Sequence, residues 1–209
     1  MPHKYIEISH RIADYSCEFL MNTIRHNTDY SNVQYCNFHH VKEMFDVAEI
    51  LLNRIDKNKS HINIGTGCGF LEYCNKENHK IKLKTADLGS GAIDPMFPFA
   101  QNLLNVKQDY QLKFMRKDHG SDLKIVGTDP FNDFTRWDNA IFSRFVPMRK
   151  TLVNLENISK FNENMKKYVD RITIVSVLGT YPDISLFPNA KITDFKLDGY
   201  NWLLIEYDI

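Results

Sequence analysis

The segment His61-Ile-Asn-Ile-Gly-Thr-Gly-Cys-Gly-Phe-Leu71 constrains the fold of this chain more than any other stretch. An apolar run of strand length enters Gly65, Gly67 and Gly69, and helix-forming sequence follows them. Glycine is needed at such positions because the chain turns sharply and a ligand can approach the backbone closely. A helix that starts beyond the turn adds amide donors and a positive dipole end. A strand that feeds a helix through a tight loop is one unit of an α/β sheet, so further strands and crossover helices are expected downstream.

The flanking sequence meets that expectation. Ile8, Ile12, Tyr15 and Phe19 recur at helical spacing and predict a first helix that ends before the polar stretch at 26–32. Val41, Met44, Phe45, Ala48, Leu51, Leu52 and Ile55 mark one apolar face of a second helix over about 37–55. A polar connector, Asp56-Lys-Asn-Lys-Ser60, follows. Strands are predicted near 61–65, 81–87, 123–128, 139–143, 171–177, 190–197 and 201–208, with helices over 95–105 and 151–168. The last two strands meet at Asp198-Gly199, the signal of an antiparallel hairpin. The expected organisation is a helical arm or cap over 1–58 and one α/β domain over 59–209 of the 209 residues.

Charge narrows the partners. Lys plus Arg is 26 and Asp plus Glu is 26, leaving no formal net charge. Chains that live on phosphate backbones rely on a large cationic surface, so a nucleic-acid partner is disfavoured. No apolar run reaches the ~18–20 residues that span a bilayer, and the first residues lack the apolar stretch of a secretory leader. A soluble, cytoplasmic protein without a membrane partner is expected. Cys17, Cys36, Cys68 and Cys74 form neither a C-x-x-C pair nor a metal-ligand pattern. Buried, reduced thiols and no metal site are the expectation.

The spacing of the glycines discriminates between nucleotide ligands. A dinucleotide fingerprint reads G-x-G-x-x-G. Here Phe70 stands where its third glycine belongs, which argues against a nicotinamide-dependent oxidoreductase. A second strand ends at Asp87, eighteen residues after Gly69. A carboxylate there can accept hydrogen bonds from both hydroxyls of a ribose, whereas by itself it would be an ordinary surface acid.

The G-x-G-x-G loop resembles motif I of the class I S-adenosylmethionine-dependent methyltransferases. Asp87, Leu123-Lys-Ile-Val-Gly-Thr-Asp129 and Trp137-Asp138-Asn-Ala-Ile-Phe-Ser143 are similar to the second, third and fourth strands of that family, so the likeness covers about residues 40–209. The resemblance implies a Rossmann-like α/β fold: a seven-stranded, mostly parallel sheet ending in an antiparallel hairpin, with an amino-terminal helical cap. It implies S-adenosylmethionine as cofactor. Gly65, Thr66, Gly67 and Gly69 would pass under its methionine end, and Asp87 with Leu88 would hold the ribose. Asp129, Pro130 and Phe131 would meet the adenine, and Ser143 would line the site at the fourth strand. The family usually carries an acid two residues before the first glycine. This chain has Asn63, whose amide oxygen can accept a hydrogen bond from the cofactor's ammonium without charge assistance.

For the methyl acceptor, Arg144 is the candidate to orient an anionic group, and His39 and His40 are the candidates on the cap. Each has an ordinary alternative: Arg144 as a solvated or ion-paired cation, and the histidines as capping or surface residues. Ser143-Arg-Phe-Val lacks the Asn/Asp-Pro-Pro-aromatic motif of amino-group DNA methyltransferases, and no cysteine follows a proline as in cytosine-5 enzymes. These absences, with the neutral charge, point to O- or N-methyl transfer onto a small molecule. No catalytic base is assigned. The alternative is a fold that binds the cofactor without turnover, as a regulatory or assembly subunit.

Overall fold

The computed structural model describes residues 3–26, 37–87, 96–114, 123–127, 136–143, 152–177 and 182–209. Its described residues group into two compact units. The helical unit takes them from Met1–Ile55, Thr66–Lys80 and Gly89–Lys107. The sheet unit takes them from Asp56–Gly65, Ile81–Leu88 and Gln108–Ile209.

The helical unit holds α1 (His3–Arg25), α2 (Phe38–Arg54), α3 (Phe70–Cys74), one π-helical turn (Asn75–His79) and α4 (Met96–Leu104). The first two match the sequence expectation closely. Asn37 caps α2, its side chain accepting the His40 amide at 2.9 Å. The buried stripe of α2, including Val41, Phe45, Ala48 and Leu52, packs with Tyr5, Ile8 and Ile12 of α1. Phe45 stacks on Tyr5 at 4.7 Å and meets Phe70 edge-on at 4.7 Å. Cys74 is buried, and burial pushes its thiol well above the usual range. Cys17 corrects the expectation of buried thiols: it lies on the solvent face of α1 beside Glu18 and is exposed. Cys36 lies outside the described residues.

A polar knot ties this unit together. The Tyr5 hydroxyl donates to Glu49 Oε1 at 2.6 Å, Asn78 Nδ2 donates to the same carboxylate, and His79 Nε2 meets Oε2 at 2.7 Å. Burial alone would raise the Glu49 carboxyl. The donors from His79, Tyr5 and Asn78 more than offset this and hold it below its ordinary value. A carboxyl with a lowered pKa contributes stability that is present above the unfolded value near 4.5 and is lost as pH falls through the folded one. The melting temperature should therefore drop as pH falls below about 4.5, and drop less in Glu49→Gln. Tyr5→Phe, which strands part of the knot, should cost about 1–2 kcal/mol in denaturant unfolding.

The sheet unit carries β1 (His61–Ile64), β2 (Leu83–Asp87), β3 (Tyr110–Phe114), β4 (Leu123–Gly127), β5 (Trp137–Ser143), β6 (Val169–Val177), β7 (Lys191–Leu197) and β8 (Tyr200–Asp208), with α5 (Leu155–Met165) between β5 and β6. Strand order is β4-β3-β2-β1-β5-β6-β8-β7. β1, β2, β3, β5 and β6 run parallel, whereas β4 and β8 run against their neighbours. The fold class is that expected, with eight described strands in place of seven. The strand that the sequence does not predict is β3. Asp198 and Gly199, at φ 47° and 90°, make the left-handed turn of the closing hairpin, as predicted. Ile62, Ile64, Ala86, Leu112, Phe142, Phe161 and Ile205 belong to one apolar core, with Phe161 of α5 edge-on to Phe142 at 5.5 Å.

Candidate functional site

In open α/β sheets ligands bind beyond the carboxyl ends of the strands, where the strand order reverses. Here the chain moves outward from β1 to β2 and β3, then returns to place β5 on the other side of β1, so the reversal lies between β1 and β5. Register defines what stands there. Ile64 pairs with Ala86 on one side and Phe142 on the other, so the next residues, Asp87, Gly65 and Ser143, form one row at the carboxyl edge of the sheet unit. At ~4.8 Å per strand the row is ~10 Å long, the scale of a nucleoside. All three are residues that the sequence singles out as candidates.

The row is fixed from below. Gly65, at φ 84°, donates its amide to Ala86 O at 2.8 Å. Gln108 Nε2 donates to Asp87 O at 2.5 Å and to Tyr110 O at 2.7 Å, closing the short β2–β3 ladder. Asp109 completes the junction: its carboxylate accepts the Thr85 amide at 3.0 Å and its own amide donates to Thr85 Oγ1 at 2.9 Å. The sequence reading passed over both Gln108 and Asp109, which stand in a polar run that resembles a loop.

Asn63 lies on the opposite face of β1 from the apolar core residues Ile62 and Ile64 and is 2% exposed. At that burial an ionised carboxylate would carry a heavy desolvation cost, and a neutral amide avoids it. At the other end of the sheet Asp138 binds the Ser60 amide at 2.7 Å and its hydroxyl at 2.8 Å, and these donors hold the carboxyl below its usual range. That contact staples β5 to the entry of β1.

In the helical unit the loop from Thr66 leads into α3. Gly67 has φ 56° and Gly69, which precedes α3, has φ 85°, backbone that disfavours a side chain. The Gly69 amide donates to Thr66 O at 2.9 Å. A Cβ on Gly69 would meet the Val106 methyls at 3.0–3.1 Å. Gln101 Nε2 donates to Gly67 O at 2.5 Å. Thr66 is 7% exposed, and its Oγ1 has no hydrogen-bond partner among the described residues. An unsatisfied buried hydroxyl is costly unless something else meets it.

The remaining expectations divide. His39 is exposed and His40 half-buried in the first turn of α2, where the His40 amide serves the Asn37 cap. Leu88, Asp129, Pro130, Phe131 and Arg144 lie outside the described residues. The strand that leads to Asp129 is β4, antiparallel to β3, with Gly127 opposite Tyr110. Tyr110 in turn pairs with Ala86, so Gly127 stands level with Ala86, and β4, running against β3, is not the third parallel strand of this sheet. β3 occupies that place. Among the described residues no group of three or more His, Cys, Asp or Glu is arranged to hold a metal, and no helix is long and apolar enough to cross a membrane.

No family model matches the sequence, and no curated protein matches it. Solved structures do match its fold. The structure of MtNAS in complex with MTA and tNA aligns with 98% of this chain and 71% of its own, at 12% identity and a TM-score of 0.50. A TehB-like S-adenosylmethionine-dependent methyltransferase from Corynebacterium glutamicum aligns over 93% of this chain and 96% of its own, at 11% identity and 0.45. A further one, from Aquifex aeolicus, covers 78% of this chain and 90% of its own, at 14% identity and 0.43. The strand order, the reversal beside β1 and the closing antiparallel hairpin are those of the Rossmann-like fold of the class I S-adenosylmethionine-dependent methyltransferases, and this chain has that fold.

Proposed function

We propose that the chain binds S-adenosylmethionine and transfers its methyl group to oxygen or nitrogen of a small-molecule acceptor. The observation that carries this reading is the row of Asp87, Gly65 and Ser143 at the strand reversal, continued along the chain by glycines at positive φ. In this reading Asp87 accepts the ribose hydroxyls, the Thr66–Gly69 loop passes under the methionine end, and Asn63 offers its amide oxygen to the ammonium. The orphaned Thr66 hydroxyl fits a polar ligand, because a bound carboxylate or hydroxyl would satisfy it.

When bound, the sulfonium would supply an electrophilic methyl carbon: an acceptor lone pair would form the new bond in line with the breaking carbon–sulfur bond, whose electron pair stays on sulfur in the demethylated thioether, and the acceptor's proton would pass to solvent. The residues of this chain then have one principal task, to hold acceptor and methyl in a near-attack arrangement, and positioning of this kind accounts for many orders of magnitude in such reactions. Arg144, His39 and His40 remain the residues proposed for the acceptor. Fold alone does not fix the acceptor, so its class needs its own test. Protein incubated with methyl-labelled S-adenosylmethionine and either the dialysable fraction of a cell extract or purified RNA should label the dialysable fraction. Label confined to RNA, or no transfer to either, would contradict the small-molecule assignment.

A further inference from the structure

The carboxyl end of α4 is built to hold the glycine loop. Met96, Ala100 and Leu104 are buried at i, i+4 and i+8, so α4 has a defined inner stripe, and Gln101 stands half-buried beside it. The helix stops at Asn105, which takes φ 50°. The Asn105 amide donates to Asn102 O at 3.2 Å and the Val106 amide to Gln101 O at 2.9 Å. Those two bonds are a Schellman stop, in which a left-handed residue reverses the chain and the next residue makes an apolar contact. The contact made by Val106 is with Gly69, close enough that a Cβ there would meet its methyls at 3.0–3.1 Å. Gln101 thus acts twice. Its backbone carbonyl sets Val106 against Gly69, and its side-chain amide holds the carbonyl of Gly67 at 2.5 Å.

Pinning that carbonyl fixes the whole 67–68 peptide plane. In a trans peptide the C=O and the following N–H point in opposite directions. With Gly67 O turned to Gln101, the Cys68 N–H is turned away from α4. Thr66, one residue before, is the site of the buried hydroxyl that lacks a partner among the described residues. We propose that Gln101 is a positioning residue: it holds the Gly67 carbonyl so that the loop amides are preset for the methionine end of the cofactor. The proposal rests on the cofactor reading above, and its test separates the two.

Gln101→Glu keeps the side-chain shape and replaces the donor by an acceptor facing a carbonyl oxygen, whereas Gln101→Lys keeps a donor. Two quantities decide the matter: the affinity for S-adenosylhomocysteine by calorimetry, and amide hydrogen exchange at Cys68 and Gly69 in the ligand-free protein. Gln101→Glu should weaken binding at least tenfold and speed exchange at those two amides about tenfold, with exchange in α1 and α2 unchanged. Gln101→Lys should stay within about threefold of wild type in both. A purely structural role would instead raise exchange throughout the helical unit. Unchanged exchange at Cys68 and Gly69 in Gln101→Glu, or equal affinity in the two proteins, would overturn the proposal. A wild type that binds no S-adenosylhomocysteine overturns the cofactor reading, and the exchange comparison still decides whether Gln101 sets the loop.

Discussion

Gly69→Ala is expected to destabilise the protein by about 2–5 kcal/mol. Two costs add. A left-handed backbone charges an alanine roughly 1–2 kcal/mol, and forcing a methyl into filled space costs about 1–3 kcal/mol. Both apply at Gly69, with φ 85° and Val106 at 3.0–3.1 Å from the new Cβ. Gly199 separates the terms. It has φ 90°, yet nothing stands within 4 Å of a Cβ placed there. Gly199→Ala should therefore cost only the backbone share, about 1–2 kcal/mol. The double variant Gly69→Ala/Val106→Ala should recover part of the packing share. Denaturant unfolding of the four proteins checks this, and equal losses at the two glycines would show that Val106 does not press on the loop.

Asn139→Leu should cost about 2–3 kcal/mol, because it breaks a buried polar chain at its centre. His61, Asn139 and Thr173 are 2%, 4% and 0% exposed on β1, β5 and β6. Asn139 Nδ2 meets His61 Nδ1 at 3.1 Å, and Thr173 Oγ1 donates to Asn139 Oδ1 at 3.1 Å. The network assigns the imidazole as acceptor at Nδ1 and donor at Nε2, where Asp56 O lies 2.8 Å away. The leucine has neither partner to offer, so the imidazole and the threonine are stranded in the core.

The same chain makes stability depend on pH. Burial lowers the His61 pKa from its ordinary 6.5, the Asp56 carbonyl opposing only in part. The unfolded state then binds the proton more readily, so stability is full above about 6.5 and is lost as pH falls from there through the folded value. The wild-type melting temperature should fall between about pH 7 and about pH 5, and His61→Asn should flatten that part of the curve. A flat wild-type profile over this interval would remove the neutral buried imidazole from the account.

Much of this architecture is legible in residue order, and what is not has identifiable causes. The glycine loop and Asp198-Gly199 are readable because positive φ selects glycine strongly, and the structure places all four glycines there. α2 is readable from its 3.6-residue stripe. β3 is hidden because Tyr-Gln-Leu-Lys-Phe is an alternation of five residues, too short to stand out beside the polar residues before it. The direction of β4 is not encoded in its pattern at all. Leu123 and Ile125 turn inward whichever way the strand runs, so alternation reports a face and not a polarity. Gln101 and Gln108 are illegible for another reason: a glutamine on a helix or in a polar run has the look of a solvated residue, and its partners are backbone carbonyls distant in sequence.

The site is partly legible for the same physical reasons. Gly65, Asp87 and Ser143 can be found because each ends an apolar run, and the pairing of three strands brings them level. The acceptor side rests on Arg144, which follows β5, and on His39 and His40 of α2, where short-range pattern carries little information about geometry.

The most direct measurement is a calorimetric titration of wild type and Asp87→Ala with S-adenosylhomocysteine, accompanied by melting curves. Wild type is expected to bind saturably. Affinity should be at least tenfold weaker in the variant, with the ligand-free melting temperatures alike, because the Asp87 side chain stands at the end of β2 and not in the core. At a hundred times its dissociation constant the ligand should stabilise wild type by about 2.7 kcal/mol. No binding by wild type, or equal affinity in the two proteins, would contradict the assignment of the carboxyl-edge row to this cofactor.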